Sequence, residues 1–88
     1  MITINNVQIE EKKLTDLALA SALVAVGAKV TDVKKIGYSQ AEFTLEGDDL
    51  SHELLQFQNR NLEVDAMTLF ETHKSLKARA NDVLRNTY

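Results

Sequence analysis

The most apolar stretch of the chain, DLALASALVAVGAK at residues 16–29, predicts a helix that is buried on all sides. Only Ser21 interrupts the run, and a helix that is apolar around its whole circumference must be covered everywhere. Its alanines and leucines favour a helix over a strand. Thr15 or Asp16 can cap the first turn, and Gly27 can end the helix. The run of about 13 residues is shorter than the ~20 that cross a membrane, so we predict a core helix.

A β-hairpin is predicted after this helix. Residues 28–36 are rich in residues that favour strands, residues 40–46 alternate strictly, and Gly37 lies between them. In the second strand, the apolar and polar sets are Ala41, Phe43 and Leu45 against Glu42, Thr44 and Glu46. We therefore expect an antiparallel pair with one face in solvent. Val30 and Val33 are out of phase with alternation, which indicates a bulge.

An N-terminal arm is predicted over residues 1–14. The segment ITINNVQI indicates two short strands about Asn5 and Asn6, with a single irregular strand as the alternative. Residues 10–13 are interpreted as a charged connector.

Two helices are predicted to close the chain. The first follows Asp48 and Asp49, whose charges favour a helix N-terminus, and ends near residues 59–61. The second is capped by Asp65 and runs from Ala66 to about Arg85. We predict that its second half extends beyond the core and meets another copy, with fraying of the final turns as the alternative. The predicted oligomer interface is Leu69, Leu76, Ala80, Val83 and Leu84.

The charges are unevenly distributed along the chain. Residues 1–40 hold five lysines and four acids, residues 41–65 seven acids and one arginine, and residues 66–88 four basic and two acidic residues. A basic last helix indicates either contact with nucleic acid or pairing with the acidic segment of the same or a neighbouring chain. Residues proposed to contact a nucleic acid or a phosphate-bearing ligand are Tyr38, Arg60, Lys74, Lys77, Arg79 and Arg85, with Tyr88 beside them.

Catalytic and metal chemistry find little support in the sequence. The chain has no cysteine, which excludes disulfides and thiolate sites and fits a reducing cytoplasm. His52 and His73 lie on different predicted helices and do not define a metal site. The serines lack the context of an activated nucleophile, and the three glycines are too dispersed for a phosphate-binding loop. We expect no enzyme activity, no cofactor and no membrane contact.

Several motifs together resemble an uncharacterised family of small bacterial and bacteriophage proteins. They are DLALASALVAVGAKV, a hairpin ending in AEFTLEG, a helix with LLQF, and LEVDAMTLFETHKSLKAR. The resemblance covers roughly residues 15–80; the ITINNVQI segment and the longer basic tail depart from it. It implies a cytoplasmic protein of a bacterium or mobile element and implies no activity.

We therefore predict one α+β domain, with an arm at residues 1–14, a core at 15–80 and a helical tail at 81–88. Eighty-eight residues support only a small core, which favours oligomerisation. The predicted function is a non-enzymatic, homo-oligomeric binding protein. The alternative is a binder of nucleic acid, a nucleotide ligand or a host protein, for example a phage anti-defence protein that uses its basic last helix.

Overall fold

The computed structural model describes residues 9–85, so the hairpin predicted about Asn5 and Asn6 lies outside them. It contains a three-stranded antiparallel sheet and three helices, which confirms the predicted α+β class. In chain order the elements are β1 Glu10–Leu14, α1 Leu17–Ala25, β2 Lys29–Ile36, β3 Gln40–Gly47, α2 Leu50–Gln58 and α3 Ala66–Arg85.

The sheet has the order β1-β3-β2, with β3 antiparallel to both neighbours. The predicted hairpin and its bulge are both present, the bulge lying between Val30 and Asp32. The interpretation of residues 10–13 as a connector is wrong, because they form most of β1. Their sequence, EEKK, is a poor strand former, and the strand is stabilised by pairing with β3.

The core lies between the sheet and the helices. Phe43 and Leu45 on β3 are almost fully buried, together with Leu23 of α1 and Leu50 of α2. Thr44, predicted to be in solvent, is only 6% exposed. It lies on the central strand, directly opposite Lys13 of β1 and Asp32 of β2.

Helix α1 is covered on part of its surface, which corrects the prediction of burial on all sides. Ala18 is exposed and Leu19 is half-buried, whereas the segment from Ala20 to Leu23 is buried. The sheet, α2 and α3 contact α1 on some of its sides and leave the rest of its surface open. The predicted cap is confirmed, since Asp16 Oδ1 accepts a hydrogen bond from the Leu19 amide at 3.1 Å.

The middle of helix α3 is anchored on its own chain, which corrects the prediction that the second half extends beyond the core as far as Ala80 is concerned. Leu76 is buried, and Ala80 packs against the same core cluster. Helix α3 packs along both α1 and β2, and Val83 lines an open cleft together with Val33 of β2. The predicted cap is confirmed: Asp65 Oδ2 accepts from the Thr68 amide at 2.9 Å and from its hydroxyl at 2.8 Å.

Glu10 joins β1 to the start of α2. Its carboxylate accepts hydrogen bonds from the Ser51 amide at 2.9 Å and from the Ser51 hydroxyl at 2.8 Å. Asp49 directly precedes α2 and was predicted to favour this helix start, but its side chain makes no capping hydrogen bond. The two bonds from Ser51 lower the pKa of Glu10 below its ordinary value.

We expect Glu10→Gln to remove a pH-dependent part of the stability. A lowered pKa means that the ionised carboxylate stabilises the fold above about pH 4.5, and that this contribution is lost as pH falls through the folded-state value. The variant should therefore unfold at lower urea concentration than wild type at pH 7, and the difference should shrink towards pH 3. Glu11→Gln, on the same strand, is the control. A difference of the same size at both pH values would contradict this assignment.

Candidate functional site

The largest exposed apolar side chains on α3 lie near its N-terminal end. Met67 is 64% and Phe70 65% exposed, although both are residues that proteins normally bury. They lie one helical turn apart, on a side of α3 turned away from Leu76. The exposed apolar surface therefore lies at the beginning of the helix, whereas the predicted interface extended towards its end.

Phe70 lies at an apolar groove between the helices. Helices α2 and α3 each pack against α1 and leave an open space of ≈ 380 Å³ between them. The groove is lined by Ala18, Ala22, Phe57, Ala66, Leu69, Phe70 and His73. It stays open because α1 contributes only alanines, whose methyl groups are too small to fill it. We call the space between these lining residues the apolar groove.

The chemistry of the apolar groove is that of a binding surface. His73 is its one titratable lining residue, and no carboxylate, hydroxyl or lysine lines it. A lone imidazole among apolar side chains has neither a nucleophile to activate nor an acid to assist it. The groove can instead accept a large apolar side chain or one face of an amphipathic helix.

The predicted interface residues separate into three groups. Leu69 lines the apolar groove. Leu76 is 3% exposed, so it is not accessible to a partner, and Ala80 packs on the same core. Val83 and Leu84 are half-buried near the end of α3. Phe70, which is 65% exposed, was not among the predicted interface residues, whereas Leu76, which was, is buried in the chain's own core.

The predicted ligand residues within 9–85 do not form one patch, and Tyr88 lies outside these residues. Tyr38 is 97% exposed at the hairpin turn, and Arg60 follows α2 with a φ of +63°. Arg85 forms a salt bridge with Asp82 at 2.7 Å. Because successive residues of a helix are rotated by about 100°, Lys74 and Lys77 lie on one flank of α3 and Arg79 lies on the other. Nucleic-acid or nucleotide binding therefore stays a prediction, because these residues do not share one surface.

A second cleft lies between α3 and the start of β2. Arg79 and Lys29 line it together with Thr72 and Ser75, which are groups that could contact an anion. The carboxylate of Glu71 lines the same cleft and offsets part of this positive charge. The cleft is thus of mixed charge and does not define a phosphate site.

Among residues 9–85, no group of three histidine, aspartate or glutamate side chains is placed to hold a metal ion. In the same part of the chain, no helix is both long enough and apolar enough to cross a membrane. Comparisons with protein-family models, with curated protein sequences and with solved structures found no match. The resemblance to a bacterial and bacteriophage family consequently stays a prediction.

Proposed function

We propose that the chain is a non-enzymatic binding protein that works as a homo-oligomer, with the apolar groove as the contact between copies. The observation that carries this proposal is the position of Phe70, which is 65% exposed beside a groove with an almost wholly apolar lining. Contiguous apolar surface of this kind on a small domain is typical of a protein–protein contact.

The exposed area is large enough to contribute substantially to such a contact. If a large side chain has about 200 Å² of surface, the exposed parts of Phe70 and Met67 together amount to roughly 260 Å². A standard interface buries about 800 Å² on each partner, so these two side chains would supply about a third of it. At about 25 cal/mol per Å², their burial would contribute roughly 6 kcal/mol per copy before the costs of association.

The sheet offers no comparable surface for self-association. Both edge strands are rich in charge: β1 reads EEKKL, and β2 reads KVTDVKKI and carries the bulge. Charged residues and bulges on edge strands oppose pairing with the edge of another sheet. Association between copies is therefore favoured at the helices, where the apolar residues are.

We expect wild-type protein to sediment as an oligomer and Phe70→Asp to weaken that association by about 100-fold, since a buried carboxylate without a partner costs several kcal/mol. The measurement is sedimentation equilibrium over a range of concentrations, with circular dichroism to show that the variant keeps its helices. Tyr38→Asp is the matched control, because it changes an exposed aromatic residue remote from the groove. A wild-type monomer at every concentration would contradict the proposal, as would a folded Phe70→Asp variant that remains assembled.

A further inference from the structure

We infer that two copies pair about a two-fold axis with their α3 helices antiparallel, so that Lys74 and Lys77 of each copy face the acidic segment before α3 of the other. That segment contains Glu63 and Asp65. This inference rests on the proposed function, because it specifies how the apolar grooves of two copies meet.

The register follows from the groove residues of α3. They are Ala66, Leu69, Phe70 and His73, which are placed symmetrically about the midpoint between Leu69 and Phe70. A two-fold axis through that midpoint brings Leu69 against the partner's Phe70 and Ala66 against the partner's His73. The small Ala66 then faces the larger His73, and the same surface is used by both copies, as a two-fold dimer requires.

The same register brings opposite charges together. Counting outward from the axis along α3, Lys74 reaches the level of the partner's Asp65. Lys77 lies one helical turn further out, beyond the start of the partner's α3, where the non-helical segment 61–65 that contains Glu63 adjoins the helix. At 100° per residue, Lys77 lies between His73 and Phe70 on the circumference of α3, so it borders the groove. Lys77 and Glu63 are both exposed, and within residues 9–85 neither lysine forms a salt bridge in its own chain.

A parallel arrangement is disfavoured by charge. It would place Lys74 and Lys77 against the same lysines of the partner, and like charges at close range repel. The acidic segment and the basic helix thus complement each other only when the two α3 helices run in opposite directions.

The test is a charge exchange between Glu63 and Lys77 in the full-length chain. Lys77→Glu alone places two acidic side chains opposite each other at both symmetric contacts. Glu63→Lys alone places two basic side chains opposite each other there. Each variant should dimerise about tenfold more weakly than wild type at low salt, and less so at high salt. Mixing the two variants should form a heterodimer of near wild-type affinity, because both contacts then join opposite charges. A chain that carries both substitutions should likewise form a homodimer of near wild-type affinity.

Lys13→Glu supplies the control, because it makes the same charge change on an exposed residue of β1. Sedimentation equilibrium measures the homodimers, and fluorescence transfer between differently labelled chains measures the heterodimer. A wild-type chain that stays monomeric would overturn the proposed function and this inference together. A wild-type dimer whose single variants associate normally, or whose mixture regains no affinity, would overturn only the antiparallel register.

Discussion

Replacing Phe43 with alanine should lower the free energy of unfolding by about 3–5 kcal/mol, the range for truncating a buried aromatic residue. Phe43 is 1% exposed and lies on the central strand, directly opposite Leu14 of β1 and Val33 of β2. The space left behind would be bordered by residues of all three strands, so it could not close without disturbing the sheet. Because small domains are stable by only about 5–15 kcal/mol, the variant should be close to unfolding at room temperature.

Urea denaturation followed by circular dichroism measures this effect. Tyr38→Ala is the control, because Tyr38 is 97% exposed in the turn between β2 and β3 and its loss should change stability by no more than about 0.5 kcal/mol. If Phe43→Ala cost less than about 1 kcal/mol, β3 would not be the centre of the core.

Leu76→Ala should destabilise the single chain by about 2–4 kcal/mol. Leu76 is the one buried residue of α3, and it belongs to the same core cluster as Leu23 and Phe43. Without it, the long helix would keep only half-buried contacts with α1 and β2. The loss should appear at low protein concentration, where association between copies makes no contribution.

Met67→Ala provides the comparison on the same helix. Met67 is 64% exposed, so its truncation should change the unfolding of the dilute chain by less than about 1 kcal/mol. If Leu76→Ala instead reduced assembly and left the unfolding of the dilute chain unchanged, the interface predicted from the sequence would be right and the packing of α3 described above would be wrong.

The structure relates the stability of α3 to its proposed role. Leu76 and Ala80 anchor the middle of the helix on the core, and this holds the preceding turns beside α1. Phe70 is therefore held at the groove by a helix that packs on the core of its own chain. Such an arrangement reduces the ordering cost of association, since little of the contact surface must become ordered when two copies meet.

Local patterns in the sequence predicted most of the elements. The strict alternation of residues 40–46 predicted β3, and the phase shift between Val30 and Val33 predicted the bulge. The caps at Asp16 and Asp65 could be predicted because a capping side chain contacts amides only three residues away. These features depend on neighbouring residues, so the amino-acid order contains the information for them.

The candidate site could be predicted only in part. Leu69 and Phe70 both line the groove, but only Leu69 was included in the predicted interface. Helical periodicity shows which residues share a face; it does not show whether that face packs on the chain's own core or on another molecule. The predicted ligand residues illustrate the same limit, because Lys77 and Arg79 are close in sequence and point to opposite flanks of α3.

The sequence by itself determined the α+β class, the bounds of the helices and of the hairpin, and the unequal distribution of charge, because each depends on composition or on short-range periodicity. Only the tertiary structure decided that EEKK forms a strand, that Glu10 caps α2 from 41 residues away, and that the open apolar surface lies at the start of α3. These features require contacts between distant segments. A short, charged or weakly patterned segment acquires its structure from what packs against it, and its own residues do not identify that neighbour.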